Sequence, residues 1–273
     1  MNNTLDTKGD FLKRYGPRAL ILGGSEGIGS SFAELLAGHG LDLTLVARNL
    51  ETLERTAADL RARYGVAVDT YRLDLTGPKI EDHAATILKA HDYGLVIYNA
   101  GATHGVGLFL DAPAERALNL IRLNCIGPVA FAHHALGKMR ERGRGGLILV
   151  SSMSAMAGAG YVATYAAAKS FEMILAEGLN WELAREGVDV MGLVATLTDT
   201  PAIARSGIVV DANSGFTPMD SHDVAAGALA HLGRTPVWFA AGEATAQALR
   251  DTPRAALTEA MSRNSAALWG IDI

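Results

Sequence analysis

Short apolar segments alternate with longer amphipathic ones along most of this chain. The segments "ALILGG" (19–24), "LDLTLVA" (41–47) and "YGLVIYNAG" (93–101) have the length and apolar content of buried strands. Helical patterns separate them, and the same order continues to "VDVMGLVA" (188–195). Strands that alternate with helices build a parallel sheet with helices on both faces, and uniformly apolar strands fit a sheet buried on both sides. We therefore predict a doubly wound α/β fold with about seven strands.

The other predicted elements complete one domain over 1–273. Further strands are predicted at 66–74, 145–152 and 236–240, and helices at 27–40, 49–64, 79–91 and 163–185. A long helical pattern over 114–141 is interrupted by Gly127-Pro128, where we expect a kink. Residues 1–17 are predicted to form an N-terminal arm. Segment 196–220 has weak periodicity and many turn residues, which predicts a substrate-binding loop or lid, with an ordinary surface loop as the alternative.

Composition narrows the classes of function. Of the 273 residues 49% are hydrophobic, and the net charge is −5 with no basic run, so we expect no general nucleic-acid partner. The single cysteine, Cys125, excludes an internal disulfide and fits a reducing compartment. No stretch approaches the about 20 apolar residues of a spanning helix, so we predict a cytoplasmic protein without a membrane partner. The adjacent His133 and His134 cannot share a helix face, and we predict no metal site.

Three glycines separate the first predicted strand from the helix after it. Gly23, Gly27 and Gly29 stand as G-x3-G-x-G in "LILGGSEGIGSS". Glycines permit a tight turn and let backbone N–H groups approach a phosphate, and the N-terminus of a helix attracts the anion. Because these glycines lie between a strand and a helix, they favour a dinucleotide-binding turn over an ordinary connection.

This spacing resembles the T-G-x-x-x-G-I-G motif of the short-chain dehydrogenase/reductase family. Leu22 stands in place of the usual threonine, so the turn must be held in another way. Segments similar to further family motifs follow in order, "LDLT" (73–76), "YNAG" (98–101) and "LNCIGP" (123–128). The stretch 27–54 looks like the hydroxysteroid dehydrogenase and 3-ketoacyl reductase branch. The resemblance implies a Rossmann-like fold and NAD(P)-dependent oxidoreduction.

The resemblance also implies which residues contact the dinucleotide. They are Gly23, Ser25, Gly27, Ile28, Gly29, Arg48, Asp74, Leu75, Asn99, Ala100, Gly101, Tyr165, Lys169, Thr198 and Thr200. The family's Pro-Gly pair after the sixth strand is replaced here by Ala195-Thr196. The backbone near the nicotinamide is therefore expected to differ from that of typical members.

The end of the second predicted strand, "LVARN", bears on the choice of cofactor. An acidic residue there binds the ribose 2′-OH of NAD, whereas a basic residue accommodates the 2′-phosphate of NADP. Ala47 takes the acid's place and Arg48 follows, whose guanidinium can hold a phosphate with two hydrogen bonds. Glu26 would repel that phosphate if it pointed inward, although the branch named above uses NADPH with an acid at this place. We predict NADP(H), with NAD(H) as the alternative.

Tyr165 and Lys169 match the Y-x-x-x-K motif of the family. Residues four apart lie on one face of a helix, so the hydroxyl and the ammonium can converge. A nearby cation lowers the pKa of a tyrosine from its ordinary value of about 10. The resemblance implies that Tyr165 gives a proton to a carbonyl or takes one from an alcohol, and that Lys169 binds the nicotinamide ribose. Tyr161 has no lysine four residues later, so we predict that it lines the pocket or caps the helix entry.

Three serines, Ser151, Ser152 and Ser154, precede this tyrosine. A hydroxyl that polarises the substrate carbonyl must lie close to the tyrosine. The family position favours Ser152, thirteen residues before Tyr165, with Ser154 as the alternative and Ser151 packed at the strand end. By resemblance, Asn124 holds a proton-relay water and completes the catalytic set.

Mainly apolar residues are predicted to line the substrate pocket, which implies a hydrophobic ketone or secondary alcohol. They are Met153, Met156, Tyr161, His104, Ile203, Phe216 and Met219. A catalytically idle dinucleotide-binding relative that acts as a regulator or scaffold is the alternative, and an isomerase or lyase on the same fold also stays open. The resemblance further implies a homodimer or homotetramer through the helices near 114–141 and 163–186.

Overall fold

A seven-stranded parallel sheet forms the centre of the protein. The computed structural model describes residues 8–101, 105–208 and 217–273. The sheet strands are β1 (Arg18–Leu22), β2 (Asp42–Ala47), β3 (Val68–Arg72), β4 (Tyr93–Tyr98), β5 (Gly145–Ser152), β6 (Val188–Ala195) and β9 (Val237–Phe239). Their order is β3-β2-β1-β4-β5-β6-β9, with every neighbouring pair parallel. The predicted doubly wound fold with seven strands is confirmed.

Helices connect the strands and cover both faces of the sheet. The main helices are α1 (Lys8–Tyr15), α2 (Gly27–Gly38), α3 (Leu50–Tyr64), α4 (Ile80–Ala90), α5 (Ala114–Ile121), α6 (Gly127–Arg142), α7 (Ala163–Leu183), α8 (Pro201–Ser206), α9 (Ser221–His231), α10 (Glu243–Asp251) and α11 (Arg254–Leu268). In the part of the chain that the structure describes, no helix is both long and apolar enough to cross a membrane.

Alternating side chains of the central strands enter two separate cores. On β1, Ile21 packs with Phe32 of α2 and Val224 of α9. Leu20 points to the other face, into a core that includes Phe131 of α6. A strand buried on both sides must be apolar at every position, which is why these strands read as continuous apolar runs.

The segment predicted as an N-terminal arm contains a helix, α1, that packs onto the sheet. Phe11 and Tyr15 are buried, and Tyr15 donates a 2.7 Å hydrogen bond to Asp189 at the start of β6. Arg14 binds the same carboxylate through Nε at 2.9 Å and Nη2 at 2.8 Å. The apolar spacing of Phe11 and Tyr15, four residues apart, is the sequence signal for this helix.

The long helical pattern over 114–141 has its irregularity before the expected position. A π-helical segment, Arg122–Ile126, separates α5 from α6. Pro128 lies in the first turn of α6, where a missing N–H costs little, so the expected kink at 127–128 is replaced by this bulge. Single π-turns inside helices are frequent at functional sites.

The predicted loop 196–220 contains regular structure on both sides of residues 209–216, which lie outside the described residues. Strands β7 (Thr198–Asp199) and β8 (Met219–Asp220) form a small parallel pair, and α8 follows β7. These elements continue from the carboxyl end of β6, at the sheet edge where ligands bind in open α/β folds.

Candidate active site

The glycine-rich turn after β1 is held by two neighbouring strands. Leu22 pairs with Val46 of β2 on one side and with Tyr98 of β4 on the other. The Gly23 N–H donates to Val46 O at 2.8 Å, and Asn99 Nδ2 donates to Gly23 O at 3.0 Å. These contacts show how the turn is held although leucine occupies the usual threonine position.

The glycine turn leads directly into the N-terminus of α2. Among the described residues, the N-cap residue Glu26 makes no side-chain capping bond, so its carboxylate does not occupy the first N–H groups of α2, which attract an anion. A Cβ on Gly29 would lie 1.9 Å from Gly23 O, which shows how closely the turn folds back on the helix. A Cβ on Gly27 would lie 2.8 Å from Thr200 Cγ2, so the Thr200 side chain lies against the turn, where the phosphate contact is predicted. The glycine turn and the N-terminus of α2 together form a phosphate cradle, which fits the phosphates of a dinucleotide.

Two charged side chains bear on the cofactor choice. Arg48 is exposed just past the end of β2, and we find no ion-pair or hydrogen-bond partner for it among the described residues. Glu26 pairs instead with Arg205 of α8, with 3.1 Å between Arg205 Nη1 and Glu26 Oε2. This ion pair connects α8 to the glycine turn and neutralises the acid of the turn.

The other predicted dinucleotide contacts follow the carboxyl ends of the strands. Asp74 Oδ1 accepts hydrogen bonds from the backbone N–H of Thr76 at 3.0 Å and from its hydroxyl at 2.8 Å, while Leu75 is buried. Thr198 is also buried, and its hydroxyl donates to Thr196 O at 2.8 Å. Asp74 therefore stabilises its own turn, in the segment that is predicted to contact the dinucleotide.

Lys169 is buried beneath Tyr165 on α7. Its ammonium lies 5.8 Å from the centroid of the Tyr165 ring, as their spacing on the helix predicts. Lys169 Nζ donates to Val150 O at 2.8 Å and lies 2.7 Å from Glu172 Oε2. Ser151 Oγ donates to the backbone oxygen of Lys169 at 2.6 Å, which ties α7 to β5. The lysine is therefore held at both its backbone and its side chain.

Asn124 lies in the π-helical segment and faces the same space as Lys169. Its Nδ2 donates to Leu120 O at 3.0 Å, whereas its buried Oδ1 has no hydrogen-bond partner among the described residues. A Cβ on Gly101 would lie 2.7 Å from Lys169 Nζ and 2.8 Å from Asn124 Oδ1. The amide oxygen and the ammonium therefore converge on Gly101, where an unpaired acceptor can take a hydrogen bond from a bound group.

The three serines after β5 have different surroundings. Ser151 is buried and bonded to α7, so it packs at the strand end as predicted. Ser152 caps a 3₁₀ turn, Met153–Met156, and its Oγ accepts from the Ser154 N–H at 3.2 Å. The two hydroxyl oxygens of Ser152 and Ser154 lie 3.4 Å apart and are both partly exposed. The choice of Ser152 over Ser154 stays a prediction.

Comparison with known proteins shows to which family this chain belongs. The family model for short chain dehydrogenases matches residues 17–207. The chain belongs to the short-chain dehydrogenase family. This dehydrogenase is 32% identical to a 7beta-hydroxysteroid dehydrogenase of Clostridium sardiniense over 192 residues, which cover 70% of the chain and 73% of the relative. It is 30% identical to a very-long-chain 3-oxoacyl-CoA reductase of Neurospora crassa over 205 residues, 72% of the chain and 62% of the relative.

Two further comparisons are relevant to catalysis and cofactor. This dehydrogenase is 29% identical over 204 residues to the human inactive hydroxysteroid dehydrogenase-like protein 1, 74% of the chain and 62% of the relative. A short-chain dehydrogenase from Sphingobium yanoikuyae in complex with NADPH superposes with a TM-score of 0.76 at 30% identity, covering 88% of this chain and 98% of that chain. These matches confirm the branch that the resemblance implied. As a family member, the chain is a nicotinamide-dependent oxidoreductase of hydroxyl and keto groups.

Tyr161 has an unusual backbone in this dehydrogenase. It is the one non-glycine residue with a left-handed φ, 65°, among the residues described. Its carbonyl oxygen accepts a 3.0 Å hydrogen bond from the Gly107 N–H. Strained backbone of this kind often accompanies functional sites, and this one lies directly before α7.

The predicted pocket residues do not form a single cluster. Met153 and Met156 pack with Phe239 of β9, whereas Met219 packs against the core on the face covered by α2. Ile203 lies half-buried on α8. His104 and Phe216 lie outside the described residues.

The C-terminal helix contributes to the site in a way that the sequence did not reveal. Met261 of α11 and Trp269 pack, with Tyr165, around one small buried cluster next to the start of α7. The hydroxyl of Ser262 accepts from the Gly160 N–H at 2.8 Å, and Trp269 Nε1 donates to Ser206 O of α8 at 2.9 Å. No local motif marks these contacts, because they join segments 102 and 63 residues apart.

Proposed function

We propose that this dehydrogenase reduces a hydrophobic ketone with NADPH, or oxidises the corresponding secondary alcohol with NADP⁺. The observation that carries the proposal is the convergence of Lys169 Nζ and Asn124 Oδ1 at Gly101, directly beneath Tyr165. Family members with a tyrosine, a lysine and an asparagine in this arrangement can move a proton to or from a substrate oxygen.

Each residue has a separate task in this proposal. The bound nicotinamide cofactor supplies or accepts the hydride at the substrate carbon. Tyr165 donates its phenolic proton to the carbonyl oxygen during reduction and takes it back during oxidation. Ser152 donates a hydrogen bond that polarises the same oxygen, and the positive charge of Lys169 favours the tyrosinate. Asn124 Oδ1 accepts a hydrogen bond from a water that relays a proton back to Tyr165 after reduction.

Three observations support NADP(H) over NAD(H). Arg48 is exposed where a 2′-phosphate binds in Rossmann-like folds, and Ala47 leaves no carboxylate to repel it. Glu26 is paired with Arg205, so its charge is balanced next to the turn. The Sphingobium relative was captured with NADPH.

The apolar character of the substrate is supported by the surroundings of Tyr165. Val106, Met261 and Trp269 pack around the same cluster as the tyrosine. Relatives of this dehydrogenase are named for a hydroxysteroid and for very-long-chain 3-oxoacyl-CoA, both with large apolar groups. A ketone flanked by an extended hydrocarbon fits such surroundings better than a small polar one.

Activity towards a panel of hydrophobic ketones with NADPH tests the proposal. We expect Tyr165→Phe to abolish turnover and to leave NADPH binding in place. Tyr64→Phe is the matched control, because its hydroxyl contacts only surface groups, Glu34 and Arg63. A fully active Tyr165→Phe variant would refute the assignment.

A dinucleotide-binding protein without activity is the second candidate, favoured by the human relative whose name calls it inactive. The intact Tyr165-Lys169 pair with Asn124 is the feature that opposes it. Binding of NADPH without turnover of any ketone or alcohol in the panel would establish this alternative over the reductase.

We also propose a homodimer or homotetramer in the cytoplasm. Ile174 and Trp181 on α7 are 61% and 82% exposed, and Val129 on α6 is 45% exposed. Apolar side chains at such exposure fit a contact between copies of the chain. Light scattering that gave only the monomer mass would contradict both assemblies.

A further inference from the structure

A buried ion pair lies below the proposed proton donor. Glu172, one turn after Lys169 on α7, is fully buried, and its Oε2 lies 2.7 Å from Lys169 Nζ. The side chains of Lys169 and Glu172 are 4% and 1% exposed. A carboxylate in such a place is costly unless its partner stays charged and fixed, so these two residues constrain each other.

The polar network around this pair is incomplete. Lys169 Nζ carries three hydrogens as an ammonium, and two of them are directed to Val150 O and Glu172 Oε2. Within the part of the chain that the structure describes, the other carboxylate oxygen of Glu172 and the amide oxygen of Asn124 are buried acceptors without partners. Because buried acceptors usually have partners, this network is arranged to gain a proton or a bound group.

Among the residues that the structure describes, the titratable groups that face Glu172 come from three elements. Lys169 lies on its own helix, Tyr98 on β4 and Cys125 in the π-helical segment. Burial, followed by the Glu172 charge, raises the pKa of Tyr98 well above its ordinary value and that of Cys125 to about 11. Both therefore stay neutral near pH 7, and the charge balance around Tyr165 depends on the Lys169-Glu172 pair.

We propose that Glu172 is a positioning residue that holds Lys169 and controls how strongly its positive charge acts on Tyr165. This inference rests on the proposed role of Tyr165 as the acid and base. An ionised Glu172 offsets the lysine charge and disfavours the tyrosinate, whereas a neutral Glu172 leaves that charge undiminished. Burial raises the pKa of Glu172 to about 7, against the lowering effect of Lys169, so the carboxyl changes charge close to neutral pH.

The pH dependence of kcat/KM for alcohol oxidation with NADP⁺ tests this role. Alcohol oxidation needs the deprotonated tyrosine. The rising limb of the pH profile of kcat/KM therefore reports the ionisation of Tyr165 in the free enzyme. In Glu172→Gln the opposing charge is gone, and we expect the limb to move to lower pH by about one unit. Glu172→Asp retains the charge and should keep the limb close to that of the wild type. Glu177→Gln, an exposed position on the same helix, is the matched control. Coincident limbs for Glu172→Gln and the wild type would overturn the proposal.

A measurement on the wild-type protein covers the case in which Glu172→Gln does not fold. With ¹³C-carboxyl glutamate, we expect one carboxyl to titrate near pH 7, far above the ordinary glutamate value of 4.5. If every glutamate titrates near the ordinary value, the proposal is wrong. The titration needs no turnover, so it also separates this inference from the proposed function, which fails instead if the wild type is inactive or Tyr165→Phe is active.

Discussion

The side-chain amide of Asn99 donates a 3.0 Å hydrogen bond to the carbonyl oxygen of Gly23. This bond joins the end of β4 to the glycine turn after β1, the two strands between which the order of the sheet reverses. The bond helps to hold the turn, because Leu22 has no hydroxyl like that of the threonine usual at its position. The shape of the phosphate cradle therefore depends on a residue that the chain reaches 76 positions later.

Asn99→Ala should weaken NADPH binding by about five- to tenfold, the effect of one lost hydrogen bond of about 1 kcal/mol. The turn keeps its bonds to Val46 but loses its tie to β4. Fluorescence titration with NADPH measures the dissociation constant. Asn264→Ala, at an exposed position of α11, is the control and should bind as the wild type does. Equal affinity of Asn99→Ala and the wild type would show that the turn is held without this amide.

Gly29→Ala should abolish cofactor binding and destabilise the fold. The added Cβ would lie 1.9 Å from Gly23 O, so the turn or α2 must shift. Gly137→Ala on α6 is the contrasting variant, because a Cβ there meets nothing within 4 Å. In the middle of a helix this change should raise the free energy of unfolding by about 0.5–1 kcal/mol. Urea unfolding and NADPH titration of both variants measure stability and cofactor affinity. If Gly29→Ala still bound NADPH, the tight turn geometry described above would be wrong.

Arg48→Ala should lower the affinity for NADPH by about tenfold or more while that for NADH changes little. The physical reason is the loss of a guanidinium partner for the 2′-phosphate, a group that NADH lacks. Separate titrations with the two cofactors give the comparison, with the exposed Arg185→Ala as the control. Equal losses for NADPH and NADH would contradict the assignment of NADP(H).

The free energy of unfolding should fall as the pH rises above 10, the ordinary pKa of a tyrosine. Burial raises the pKa of both Tyr15 and Tyr98, so the folded state keeps protons that the unfolded chain releases. Each such group contributes a slope of about 1.4 kcal/mol per pH unit. Tyr98→Phe should therefore show a shallower decrease in urea unfolding across this range.

Phe131→Leu serves as the control for this slope. Its ring lies 6.2 Å from that of Tyr98, so the variant should lose stability by disturbing the same core. Because no titrating group is removed, the pH slope should stay that of the wild type. An unchanged slope in Tyr98→Phe would mean that Tyr98 ionises in the folded protein as it does in the unfolded chain.

Local sequence patterns were sufficient to predict the sheet, the glycine turn and the Tyr165-Lys169 pair. Strand alternation and the G-x3-G-x-G spacing depend on neighbours in sequence, and four residues on a helix define one face. The local pattern did not predict the irregularity of the helix over 114–141, where the π-helical segment Arg122–Ile126 replaces the kink expected at Gly127-Pro128. A π-turn depends on what the helix packs against, here the buried Tyr98, whose hydroxyl donates to Leu123 O at 2.7 Å.

Two features of the site depended on distant parts of the chain. The burial of Glu172 beside Lys169 could not be seen in "YAAAKSFE", because a lysine and an acid three residues apart also pair on solvent-exposed helices. The packing of Met261 and Trp269 around the cluster that includes Tyr165 likewise requires the C-terminal helix to return to α7.

Periodicity and short spacing are enough to predict the fold class and the positions of the glycine turn and the Tyr165-Lys169 pair. The folded chain is needed to see that Asn99 holds the turn, that Arg205 neutralises Glu26 and that Glu172 lies buried against Lys169. These last three features depend on burial and on contacts between distant segments. The charge and hydrogen bonding of a polar group are set by which distant segments exclude water from it, and that information appears only when the chain has folded.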